Sequence, residues 1–170
     1  ISALENYDRP EIAAEELPAD AYRDDVAANL AVAERWVTEH SDTEFDFFLP
    51  PYSILFWDKV IREGRTEAVF AAIRQAGQTL LQYDNVKFYG YLMDPEIVTN
   101  LDNYCDYIHH SGGVCREILA MLQREEGRLT EENLEETLAN WREFVVHYDY
   151  DQFWDERFWI QWNAEHAAAP

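Results

Sequence analysis

The stretch that decides the fold opens with EFDFFLPP at residues 44–51 and closes with DNVKFYGYLMD at residues 84–94. The first segment is rich in aromatics and is stopped by Pro50 and Pro51, which predicts a short strand over 44–49. The second follows a turn signal at Asp84 and Asn85 and predicts a strand over 86–92. Between them the spacing predicts a short apolar helix near 53–62 and a longer one that Thr66 can cap. In that longer helix Val69, Ile73 and Leu80 share one face, and it ends near Tyr83. Two strands joined through helices of this length run parallel, as a right-handed β-α-β unit. The expected class is α/β: a partial three-layer α/β/α, flavodoxin-like arrangement with few parallel strands and C-terminal helices. Two strands are few for an open parallel sheet, whose strands are covered on both faces. Together with an N-terminal Ile in place of Met, this predicts further strands before Ile1.

Outward from this unit, Tyr22, Val26, Leu30, Ala33 and Val37 recur at spacings of three and four. They predict an amphipathic helix over 20–40, with Asp20 as its cap. Residues 1–19 are acidic, punctuated by proline and without a period, and read as an arm or linker. On the other side, residues 93–110 form a long polar loop crowded with Asp, Asn, Tyr and His. Ser111 then opens a helix carrying Val114, Ile118 and Leu122, and Thr130 opens another carrying Leu134, Leu138, Trp141, Val145 and Tyr148. Residues 20–150 thus form the α/β part, and residues 151–170 an aromatic-rich tail.

Composition narrows the partners. Of 170 residues, 34 are acidic and 13 basic, a formal charge of −21. Such a chain repels phosphate backbones, so nucleic acid is excluded as a partner; anionic membrane surfaces are disfavoured for the same reason. Apolar residues at 48% support a core and exclude wholesale disorder. No apolar run is long enough to span a bilayer, and the first twenty residues do not have the pattern of a signal peptide. Two cysteines, Cys105 and Cys115, make neither a disulfide scaffold nor a CxxC site, and their spacing permits a bridge or two thiols alike.

Sites in parallel α/β sheets gather beyond the carboxyl ends of the strands. The loop after the second strand contains TNLDNYCDYIHHS, in which Asp106 and His109 stand three apart. That spacing lets the carboxylate accept a hydrogen bond from imidazole Nδ1–H, fixing the tautomer and leaving Nε2 to deprotonate a hydroxyl. A loop salt bridge has the same spacing. A metal site from Asp102, Asp106, His109 and His110 is disfavoured, because adjacent histidines rarely ligate one zinc; neither a metal nor a cofactor is expected.

The segments FDFFLPPYSILFWDKVIREG, DNVKFYGYLMDPEIVTNLDNYCDYIHHSGGV and REFVVHYDYD together resemble bacterial SGNH/GDSL-hydrolase-like proteins, over residues 43–151. The resemblance implies an SGNH-like esterase or acyltransferase acting on O-acyl esters of a cell-envelope polysaccharide. Asp106 would then orient His109, and His109 would act as general base. Tyr52, Ser53, Asn103 and His110, from the same motifs, would be the substrate contacts. No GDS-type nucleophile block is present: the four serines are Ser2, Ser41, Ser53 and Ser111, so the resemblance places the nucleophile before Ile1, in an upstream segment or beyond a membrane anchor. It also implies an extracytoplasmic, cell-envelope location, with the cytoplasm as the alternative.

A reading from another class is a non-catalytic acidic protein-binding module, a DNA mimic or an inhibitor, on a degenerate scaffold of this kind. Its acids are spread along helices rather than run in blocks, as on a solvated surface. In the tail, Trp154, Phe158 and Trp162 fall at i, i+4 and i+8. This stripe packs on its own domain or, if exposed, meets a protein partner.

Overall fold

The two aromatic segments do form strands. β1 (Phe45–Phe48) and β2 (Val86–Tyr89) pair in parallel, with Phe45 opposite Val86 and Phe47 opposite Phe88. The computed structural model describes residues 2–166; Ile1 and residues 167–170, which end the expected tail, lie outside the described residues. In chain order the helices are α1 (Ser2–Glu5), α2 (Arg23–Glu39), α3 (Ile54–Arg62), α4 (Thr66–Leu80), α5 (Pro95–Val98), α6 (Gly112–Arg124), α7 (Leu134–His147) and α8 (Glu156–His166). The class is mixed α/β, as the alternation of strand and helix patterns requires.

A third strand, β3 (Arg128–Leu129), pairs antiparallel to β2, giving the order β1-β2-β3. Two residues carry no period, so nothing in the pattern of the sequence announces this strand. The turn that makes it needs left-handed backbone at Glu125 (φ 53°) and Gly127 (φ 71°). β2 is shorter than expected because Gly90 leaves the ladder: its N–H donates to Gly127 O (2.9 Å), and residues 91–93 coil into a 3₁₀ turn.

The central strand, β2, is covered on both faces. On one, Val86 and Phe88 pack with Trp57 of α3, Phe70 of α4, and Leu138, Trp141 and Val145 of α7. On the other, Tyr89 packs with Tyr91 and with Val114, Ile118 and Met121 of α6. α2 lies against α4. Some caps differ from expectation. α2 starts at Arg23, whose N–H donates to the Asp20 carbonyl, and α4 starts at Thr66 itself; neither helix has a side-chain cap. Ser111 caps α6 through Val114 N–H, and Thr130 and Asn133 exchange side-chain hydrogen bonds ahead of α7.

Residues 1–19 attach to this core. Ala3 and Tyr7 are buried in it, and Ala13 and Leu17 donate backbone hydrogen bonds to Arg62 O and Gly64 O. Gly64 (φ 65°) must stay glycine, since a Cβ there would stand 2.5 Å from Glu15 O. Arg9 makes a bidentate pair with buried Asp58 of α3 (2.9 and 3.1 Å), and the Tyr7 hydroxyl donates to the same carboxylate at 3.0 Å. The remaining arm of Arg9 reaches Asp151 at 2.8 Å, and its guanidinium lies 4.0 Å from the Trp154 ring centre. In the tail Phe153 is buried and Phe158 packs against the core, while Trp154 stays 46% exposed. Among the described residues no helix is long and apolar enough to cross a membrane.

Candidate functional site

The loop after β2 is built by short-range hydrogen bonds. Asp94 caps α5 by accepting from Glu96 and Ile97 N–H, with Pro95 following at the first helical position. Asn103 donates to Ile97 O (3.2 Å), and its own carbonyl accepts from Ser111 N–H (2.7 Å). Tyr104 and His110 form an antiparallel bridge, and Tyr104 is anchored by its hydroxyl to Pro51 O at 2.7 Å. The chain from 105 to 109 is the tip of this small closed loop.

At that tip Asp106 and His109 do meet. Asp106 Oδ2 lies 2.6 Å from His109 Nδ1, while Oδ1 accepts the N–H groups of Ile108 (2.8 Å) and His109 (2.7 Å). Partial burial raises the carboxyl's pKa, but these hydrogen bonds outweigh it and hold Asp106 below the ordinary aspartate range. The His109 ring is exposed. The geometry is that of a base and its orienting carboxylate, and equally that of a turn that stabilises itself.

What the pair lacks is a hydroxyl. The Ser53 hydroxyl is buried and donates to Tyr107 O (2.9 Å), tying the start of α3 to the loop. Ser111 caps α6, Ser2 donates to Cys105 O (3.2 Å), and Ser41 is exposed in the turn before β1. None of the four hydrogen-bonds to His109. Tyr52 packs its ring on Phe56 (centroids 5.0 Å apart), and Asn103 spends its amide on the loop backbone. His110 Nδ1 faces Ser111 O and Cys115 Sγ (3.7 Å). Ser53, Asn103, Asp106 and His109 therefore each serve the loop's own architecture. Cys105 and Cys115 are unbridged and exposed. Among the described residues no cluster of three metal-ligating side chains occurs.

A second feature lies directly at the carboxyl end of β2. A cleft of about 450 Å³ opens between residues 90–96, the end of α6, and β3. Its apolar lining is Tyr91, Met93, Met121 and Leu129; its polar lining includes Asp94, Glu96, Glu126 and Arg128. A Cβ at Gly90 would stand 2.7 Å from Met93 Cε and 3.2 Å from Leu129 Cδ1, so the missing side chain is what lets these elements meet. Tyr91 is 1% exposed, stacks on Tyr89 (5.7 Å), and neither hydroxyl has a hydrogen-bond partner. Burial, with the neighbouring Tyr89 and acids adding to it, pushes the Tyr91 phenol up to about 12. At the rim Arg124 holds Glu126, and Glu125 bridges Lys87 and Arg128; these pairs hold both carboxyls below the ordinary glutamate range. The rule that sites sit beyond strand carboxyl ends points to this place, but Asp106 and His109 do not line it. The legible signal was Gly90, a glycine ending an aromatic strand.

No protein-family model matches the chain, and no solved structure matches it. Two curated proteins do, each named "UPF0735 ACT domain-containing protein", from Lacticaseibacillus casei strain BL23 and Lacticaseibacillus paracasei strain ATCC 334. Each is 24% identical over 90 residues, 53% of this chain and 62% of the relative. The chain thus spans under two thirds of the length of the curated relatives it matches. Neither relative is named as a hydrolase. This corrects the SGNH/GDSL resemblance, and with it the esterase and O-acyltransferase reading that gave Asp106 and His109 two places in a Ser-His-Asp triad. The hydrogen bonds explain why the motif misled. Asp-x-x-His closes a turn whether or not a nucleophile is near, and here none of the four serines hydrogen-bonds to His109.

Proposed function

We propose that this chain is a non-catalytic module that binds a small amphipathic molecule in the cleft at the carboxyl end of β2. The observation that carries the reading is the cleft itself, large enough for a metabolite, with an apolar wall of Tyr91, Met93, Met121 and Leu129 beside the charged Asp94, Glu96 and Arg128. Met93, Met121 and Leu129 suit an apolar body, and Asp94, Glu96 and Arg128 suit a cationic or zwitterionic head. The relatives' name specifies a domain and no reaction, which agrees with a binding role.

The test is thermal unfolding against a panel of the twenty amino acids and simple aliphatic and aromatic amines. A binder raises Tm with concentration, because it stabilises only the folded state; at one hundred times Kd the gain is about 2.7 kcal/mol. Thr137→Trp, which places a large ring at the cleft wall, removes that gain. If no panel member shifts Tm, or if the shift survives Thr137→Trp, the cleft is not the site.

A further inference from the structure

β1 is an edge strand, and among the described residues no strand pairs with its outer edge. Phe45 N–H donates to Asn85 O (2.8 Å) and Leu49 N–H to Tyr89 O (2.9 Å), so the odd-numbered residues turn their backbone toward β2. In a parallel ladder the residues between them point their N–H and C=O groups the other way. These are Asp46 and Phe48, and among the described residues no strand or backbone hydrogen bond meets them on that side. Both are exposed, Phe48 by 41%, although Phe45 and Phe47 on the opposite face pack against the core. β1 carries neither the lysine, the proline nor the bulge with which edges are usually blunted.

The side chains beside that edge decide what fits it. Asp46 is exposed on the same face as Phe48, with Asp42 and Glu44 just before it in the chain; Lys87 of β2, its partner in register, is itself engaged by Glu44 (3.0 Å) and Glu125 (2.7 Å). A second copy of a chain charged −21 would bring like charges to this edge. An extended segment with a cation opposite Asp46 and an apolar residue two positions on, opposite Phe48, would match both. We propose that β1 is a docking edge for strand addition by an extended basic segment of a partner protein, with Asp46 selecting the cation and Phe48 the apolar neighbour. The Phe48 ring meets Tyr91 of the cleft lining (centroids 5.9 Å apart), but the docking edge does not rest on the cleft reading.

The probe is the capped octapeptide Thr-Lys-Thr-Val-Thr-Lys-Thr-Val, which places lysine and valine alternately on one face. The readout is amide hydrogen exchange of Asp46 and Phe48, followed by NMR on the whole chain. At saturating peptide both amides slow by about tenfold or more, as for newly made ladder hydrogen bonds. A version with glutamate for both lysines gives no protection, and neither does one N-methylated at alternate amides along its pairing edge. Asp46→Lys exchanges the preference, so that the glutamate peptide protects. Three results overturn the proposal. The amides are protected without peptide in dilute protein, which makes the chain itself the occupant; protection rises with protein concentration alone, which makes it a second copy; or the acidic and basic peptides act alike. The peptide controls decide the matter on the unaltered protein even if Asp46→Lys fails to fold.

Discussion

Two aspartates in this molecule each meet a cationic or ionisable partner, and they could hardly be placed more differently. Asp58 is 2% exposed, held bidentately by Arg9 and capped by the Tyr7 hydroxyl, and its partners lie about fifty residues away in the chain. Asp106 sits at a loop tip with an exposed partner three residues on. The first pair fastens the amino-terminal residues to α3 and, through Asp151 and Trp154, to the start of the tail. The second fastens a turn to itself. The pair that looks like chemistry in the sequence is the local one, and the pair that holds the molecule together is invisible there.

That contrast can be broken or sharpened by measurement. The largest effect is expected at Asp58→Ala, which strands Arg9 in a partly buried setting and costs about 3–5 kcal/mol in urea unfolding. Arg9→Met combined with it in a double-mutant cycle should recover part of that loss; additivity would show that the two groups do not act as a pair. Tyr7→Phe removes one hydrogen bond to a charged acceptor, with an expected cost of about 1.5–3 kcal/mol. Asp106→Asn should cost about 1 kcal/mol or less, with faster amide exchange confined to Ile108 and His109. A loss as large as that at Asp58 would make the loop a structural keystone instead.

The two regions also separate on the pH axis. Burial, with Asp58 beside it, raises the Tyr7 phenol well above the ordinary tyrosine range. Its contribution is therefore complete below about pH 10 and falls as pH rises beyond that, when the unfolded chain ionises first. Asp106 is lowered, so its contribution is present above about pH 4 and is lost as pH falls through its folded value. Stability curves of Tyr7→Phe and Asp106→Asn should thus converge on the parent at opposite ends of the pH range. The smallest expected effect is on hydrolysis of p-nitrophenyl acetate, where His109→Ala should change the rate by less than about twofold. A larger fall would return a chemical role to the exposed pair.

Much of the fold was legible because its elements report themselves locally. An aromatic run stopped by Pro50 and Pro51 marked β1, and the turn at Asp84 and Asn85 marked the start of β2, though its end at Gly90 was not read; the three-and-four spacing of Val26, Leu30, Ala33 and Val37 marked α2. β3 was not legible, because two residues have no period and their strand exists only through Tyr89 and Phe88 opposite them. The place of Ala3 and Tyr7 in the core was hidden for a similar reason. Residues 1–19 have no repeating face, and only α3 and the loop before α6 give them something to pack against. At the candidate site, the meeting of Asp106 with His109 was readable because i and i+3 meet in a turn. The cleft was not, because residues 90–96 lie far along the chain from Met121 and residues 126–129 and meet them only in the folded structure.

By itself, then, the sequence determined the α/β class, the parallel pairing of the two aromatic strands, the Asp106 turn, and a strongly acidic chain. These follow from periodicity, turn chemistry and net charge, which act over a few residues or over none in particular. The tertiary structure alone decided that no serine hydrogen-bonds to His109, that Tyr91 is buried beside an open cleft, and that among the described residues no strand pairs with the outer edge of β1. Each of these depends on which distant segments come to lie side by side, and burial and hydrogen-bond satisfaction are properties of that arrangement rather than of any stretch of chain.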